Sequence, residues 1–99
     1  MPRSEAAGKL VKLRLLNLKD NQIGDAGVAA LAEAADKLPQ LKTLFLSRNQ
    51  IGDAGVAALA EAAGKLPQLE ELDLEGNLNI SQQAKDALKA ALPDGKVYF

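Results

Sequence analysis

From Leu41 to Ala62 the chain reads LKTLFLSRNQIGDAGVAALAEA, with leucines at Leu41, Leu44 and Leu46, then Asn49, Ile51 and an alanine-rich run. The same unit begins 28 residues earlier at Leu13 and 28 residues later at Leu69. Self-similarity at a fixed period marks a stack of supersecondary units, each burying its apolar face against the next. Within a unit the hydrophobic period changes. Leu16-Asn17-Leu18 alternates apolar with polar, as a half-buried strand does. Gly27, Ala30, Leu31, Ala34 and Leu38 then recur at three- and four-residue spacing, the apolar face of a helix. Asn21-Gln22-Ile23-Gly24-Asp25 turns the chain between them. Asp25 is predicted to cap the helix it opens, and Pro39 to end it.

The second repeat follows the same course, with Asp53 as the cap, Gly55, Ala58, Leu59, Ala62 and Leu66 on the helix face, and Pro67 at the end. Asn21 to Leu41 and Asn49 to Leu69 differ only at Asp36 against Gly64, closer agreement than natural drift usually leaves. The third repeat keeps Leu69, Leu72 and Leu74 but gains one residue after Asn77, and Ser81 stands where glycine stood. Ser81 is read as the cap of a helix with Ala84, Ala87, Leu88, Ala91 and Leu92 inward and a polar outer face, as a terminal repeat requires. After the Asp94-Gly95 turn, Lys96-Val97-Tyr98-Phe99 alternates and reads as a closing strand with Val97 and Phe99 inward. At the other end Glu5 to Leu10 repeats Glu61 to Leu66 residue for residue. The organisation is thus one domain: a truncated repeat over 1–12, repeats over 13–40, 41–68 and 69–95, and the closing strand at 96–99.

The unit Leu-x-x-Leu-x-Leu-x-x-Asn-x-Ile resembles the leucine-rich repeat, and its helical second half with Ile-Gly-Asp-x-Gly resembles the ribonuclease-inhibitor-like subclass. The resemblance implies a right-handed α/β solenoid, with a parallel sheet on the concave face and helices on the convex one. It also implies protein binding through the concave face. One branch of the subclass stimulates a small GTPase, but only generic repeat residues match it here. The near-identity of the repeats points to a consensus-designed array, with a fragment of a natural protein-binding array as the alternative. Asn21, Asn49 and Asn77 share one turn position, where a side chain that both donates and accepts can satisfy backbone groups the turn leaves unpaired.

With the leucines inward, three columns face out: Leu15, Thr43 and Glu71; Asn17, Phe45 and Asp73; Lys19, Ser47 and Glu75. Arg48 and Asp20 lie at the rim. These columns and Arg48 are the candidate protein-binding residues. Leu15 and Phe45 stand out as an aliphatic and an aromatic residue on adjacent strands, joined in prospect by Tyr98, the kind of patch that anchors interfaces. Glu71, Asp73 and Glu75 alternate along a single strand with no second strand supplying ligands, so they read as a solvated acidic stripe rather than a metal site.

Composition narrows the chemistry further. The 99 residues contain no Cys and no His, which removes disulfides, thiolates, imidazole bases and the commonest zinc ligands. Ser4, Ser47 and Ser81 therefore lack a His or Cys partner, and the glycines around Asp25 lack the Lys and Ser or Thr of a phosphate loop. Neither an enzyme nor a cofactor is predicted. The net charge of −1 argues against nucleic acid and anionic membranes as partners. No signal core or membrane span is legible, which suits a cytoplasmic or recombinant setting. The charge is polarised, however: residues 1–49 carry eight basic and five acidic side chains, residues 50–99 four and eight. An N-terminal edge lined by Leu10, Leu13, Leu16 and Leu18 predicts self-association into a homodimer, because open strand edges template pairing.

Overall fold

The computed structural model describes residues 12–99. The expected helical fragment at the start, and with it Leu10, lies outside them. Four strands alternate with three helices: β1 Leu15–Asn17, α1 Gly24–Glu33, β2 Thr43–Phe45, α2 Asp53–Ala62, β3 Glu71–Asp73, α3 Gln82–Ala91 and β4 Lys96–Tyr98. The strands form one parallel sheet in chain order. The α/β solenoid that the resemblance implied is thus the observed fold. Paired strands are about 4.8 Å apart while packed helices need about 8–10 Å, so stacking such units bends the array with the sheet inside the curve.

Register runs straight across the sheet, Leu16 opposite Leu44, Leu72 and Val97. Leu44 and Leu72 are fully buried in the core together with Leu41, Leu46, Ile51 and Leu74, and Leu16 and Val97, half-buried, pack against it at the two ends of the sheet. The closing strand therefore takes the place of a fourth repeat's leucine with Val97. Phe99 packs against the core behind it, and Lys85 and Lys89 of α3 lie over its ring at 5.5 and 5.6 Å.

The helix faces differ from the expected set. Val28 and Val56 are buried, whereas Ala30 and Ala87 are exposed. The helices also stop before their prolines: α1 and α2 each give way to a 3₁₀ turn, Ala35–Lys37 and Ala63–Lys65. That tightening rotates the end of the helix and brings Leu38 and Leu66 into the core.

Two hydrogen-bond systems join one repeat to the next. The Asn49 Oδ1 accepts the N–H groups of Asn21 and Ile23 at 2.8 and 3.3 Å, while its Nδ2 donates to the carbonyls of Leu18 and Ser47 at 2.7 and 3.1 Å. Asn77 repeats the pattern one unit on, accepting from Asn49 and Ile51 and donating to Leu46 and Leu74. Each asparagine thus completes the turn of the repeat before it, as the shared position suggested. The aspartates do the converse, which corrects the capping expectation. Asp25 makes no cap to its own helix. Its Oδ1 accepts from Gly52 and Gly55 at 2.7 and 2.9 Å, the orphan N–H groups that open α2. Asp53 likewise accepts from Ser81 N–H at 2.7 Å, and Ser81 Oγ accepts from Ala84 N–H at 3.2 Å within its own helix. Neither aspartate occupies the N-cap of its own helix, where Ile23 and Gly52 stand; Asp25 and Asp53 lie one or two residues inside, and their carboxylates reach the start of the next helix instead.

Candidate protein-binding face

Strand alternation sends Leu16, Leu44 and Leu72 into the core, so their flanking residues face out. The parallel register then assembles two rows across the sheet: Leu15, Thr43, Glu71 and Lys96, and beside it Asn17, Phe45, Asp73 and Tyr98. The columns expected from sequence are thus brought together, and β4 adds Lys96 and Tyr98 to them. Asp73 stands between Phe45 and Tyr98, so Tyr98 does not adjoin the Leu15 and Phe45 pair directly. Leu15 is 51% and Tyr98 41% exposed, while Phe45 is half-buried.

The third row is Lys19, Ser47 and Glu75, just beyond the strands. Backbone bonds from Asp20 N–H to the Ser47 carbonyl and from Arg48 N–H to the Glu75 carbonyl carry the ladder that far. Ser47, expected among the exposed contacts, is only 3% exposed. It is the shortest side chain of its row, between the longer Lys19 and Glu75, and its carbonyl is already bonded to Asp20 and Asn49. Its hydroxyl has no hydrogen-bond partner among the described residues. Serine therefore forms floor here, not rim.

Charge on the face is arranged rather than scattered. Lys19 Nζ lies 4.8 Å from the Phe45 ring centroid, a cation over a π face. Arg48 grips Asp20 with both arms of a fork, Nε to Oδ1 at 2.6 Å and Nη2 to Oδ2 at 2.9 Å. That hydrogen bond holds the Asp20 carboxyl below the usual carboxylate range and raises Arg48, with a smaller contribution to Arg48 from the charges of Asp73 and Glu75. Asp20, Arg48 and Gly76 occupy the same turn site in successive repeats, all with positive φ of 58°, 53° and 79°. The turn aims the Asp20 and Arg48 side chains along the rim, and only the third repeat fills the site with the residue that adopts this geometry freely. Asp73 Oδ1 accepts the Glu75 N–H at 2.9 Å, which fixes the carboxylate. Leu78, the residue inserted in the third repeat, is 91% exposed, and Asn79 beyond it rejoins the array by a parallel bridge to Gly52.

Among the described residues no group of three or more acidic side chains is arranged to hold a metal ion, and no helix is long and apolar enough to cross a membrane. The architecture is that of a repeat solenoid presenting a sheet face. Two copies of the leucine-rich repeat match residues 39–89, and a further leucine-rich repeat matches residues 9–32. The chain belongs to the leucine-rich repeat family, whose domains typically mediate protein interactions. No curated protein matches it.

Proposed function

We propose that this chain is a non-enzymatic protein-interaction module, a consensus-built array of the ribonuclease-inhibitor-like subclass, that pairs with a second copy of itself at its N-terminal edge. The helical second half of every repeat supports the subclass, and the near-identity of the first two supports the consensus origin. The observation that carries the pairing is at β1. Among the described residues no strand pairs with its outer edge, and Leu13, Leu16 and Leu18 stay half-buried where Leu41, Leu44 and Leu46 are buried. The edge presents backbone groups and apolar side chains together, which is what a second strand needs. The concave columns around Leu15, Thr43, Phe45, Glu71 and Asp73 remain open for a different protein.

Light scattering during size-exclusion chromatography tests the pairing, run at several concentrations and at low and high salt. A dimer that persists in salt and is abolished by Leu16→Lys is the expected result. Dissociation by salt would transfer the contact to the charge asymmetry between the two halves, since screening weakens exposed charges and spares apolar burial. A monomer under all conditions would overturn the pairing.

A further inference from the structure

We infer that the concave face carries a receptor for an arginine side chain of a partner protein, seated over Asp73 between Phe45 and Tyr98. The inference rests on the concave face being a protein-binding surface and names what that surface reads. Phe45, Asp73 and Tyr98 are opposite one another on β2, β3 and β4. With strands about 4.8 Å apart, the backbones that carry the two aromatic residues are separated by roughly 10 Å, with the carboxylate between them. A flat cation that pairs with the acid is then flanked by an aromatic residue on either side and can stack on one of them.

Other observations point to the same occupant. The Phe45 face already attracts a cation, for Lys19 reaches it from the turn that follows β1. Glu71 and Glu75 stand two residues to either side of Asp73; Lys96 is opposite Glu71, and the surplus beside Asp73 is the charge of Glu75. Arg48, the nearest guanidinium at the rim, is committed to Asp20 in the fork described above. Asp73 spends one oxygen on Glu75 N–H, which leaves the other to face a ligand. Arginine suits this set better than lysine, since it is planar and has five donors against three.

Lys19 is then an internal competitor, and the two positions have opposite expected effects. The blocked peptide acetyl-Gly-Gly-Arg-Gly-Gly-amide, titrated into the full chain, should shift the backbone amide resonances of Phe45, Asp73 and Tyr98. The emission of Tyr98, the one tyrosine in a chain without tryptophan, reports the same event. Asp73→Asn keeps the oxygen that accepts from Glu75 but loses the charge, and should weaken binding about fivefold or more. Lys19→Gln removes the competing cation and should tighten it about two- to threefold. Equal binding by both variants, or shifts spread evenly over all acidic positions, would overturn the receptor.

A random peptide library selected on the full chain separates this failure from that of the wider reading. Arginine-rich binders lost on Asp73→Asn support the receptor. Binders without arginine, lost on Leu15→Arg but indifferent to Asp73→Asn, retire the receptor and retain the binding face. Binders indifferent to both, or none, retire both.

Discussion

The first and second repeats share nearly the same text from their asparagine onward, yet they are not the same structure. Asn21 is exposed and its side chain makes one bond among the described residues, to the Lys19 carbonyl at 2.9 Å. Asn49 is 0% exposed and makes four. Ile23 and Leu31 are half-buried where Ile51 and Leu59 are buried. A residue in a solenoid is worth what its neighbours make it, because each unit contacts only the units beside it and stability is a sum of unit and interface contributions. Matched substitutions in the two repeats therefore measure the interfaces with the side chain held constant.

The widest gap belongs to the asparagines. Asn49→Ala leaves the N–H groups of Asn21 and Ile23 and the Leu18 carbonyl without their partner, and takes from the Ser47 carbonyl one of its two bonds. At about 1 kcal/mol for each bond, the expected cost is about 3–4 kcal/mol. Asn21→Ala is expected to cost less than about 1 kcal/mol, since water replaces its single exposed bond. Urea unfolding of the two variants checks the difference, and equal losses would mean that the asparagine ladder does not hold the repeats together.

The leucines come next. Leu44→Ala empties a fully buried site and should cost about 3–4 kcal/mol, in the range for a core leucine. Leu16→Ala, half-exposed on β1, should cost about half that in dilute solution. If a second copy covers β1, the Leu16 penalty grows with protein concentration and that of Leu44 does not, because association stabilises by mass action. Unfolding at two concentrations tenfold or more apart shows whether it does.

These contrasts mark how far the sequence could be read. Strand, turn, helix and repeat length were legible because leucine spacing records which side of the backbone is buried, and that is local. The two outward rows followed from the same alternation once strands of equal register were assumed. Four things lay beyond that reading. Ser47 alternates outward like Phe45, yet it is buried in the stacked array, which the text of one repeat does not show. Val28 and Val56 required the phase of a short helix, which Ala-rich spacing leaves ambiguous. Most instructive are Asp25 and Asp53: an aspartate at the start of a helix is a cap signal, but the signal does not say whose helix. Nor did the bonds of Arg48 to Asp20 or Lys19 to Phe45 follow from spacing within a repeat. They join side chains 28 and 26 residues apart.

The crossed cap supplies a smaller test of the same comparison. Asp25→Ala should cost about 1–2 kcal/mol, the worth of an N-cap. The damage should appear in the second repeat, with faster amide hydrogen exchange at Gly52 and Gly55 and no matching change at Gly27. Gly55 is part of this joint: a methyl added there would meet Asp25 Oδ1 at 2.6 Å and Ile51 Cγ2 at 2.7 Å. Gly55→Ala should therefore accelerate exchange at the same two amides although it raises helix propensity. If exchange changes at Gly27 instead, Asp25 caps its own helix and the coupling between repeats rests on asparagine alone.

The smallest effect lies in pH. Asp53 is held below the ordinary carboxylate range by accepting the Ser81 backbone N–H, with the Ser81 side chain adding to it, and Asp20 by the Arg48 guanidinium. A carboxyl whose folded pKa is depressed contributes stability above its unfolded value, about 3.9 for Asp, and loses it as pH falls through the folded value. Both groups are exposed, so the loss is modest and confined to acid: stability should be flat from pH 7 to about 5 and decline below. The two differ in their sensitivity to salt. The Asp20 contribution comes from a surface ion pair and should shrink at about 1 M salt, where the screening length falls to roughly 3 Å. The Asp53 contribution is a hydrogen bond to backbone and should survive it. Asp53→Asn should therefore reduce the acid slope at high salt, and Asp20→Asn should do so only at low salt. A slope that Asp53→Asn leaves unchanged in both conditions would mean that the joint into the third repeat is carried by Ser81 and its own helix.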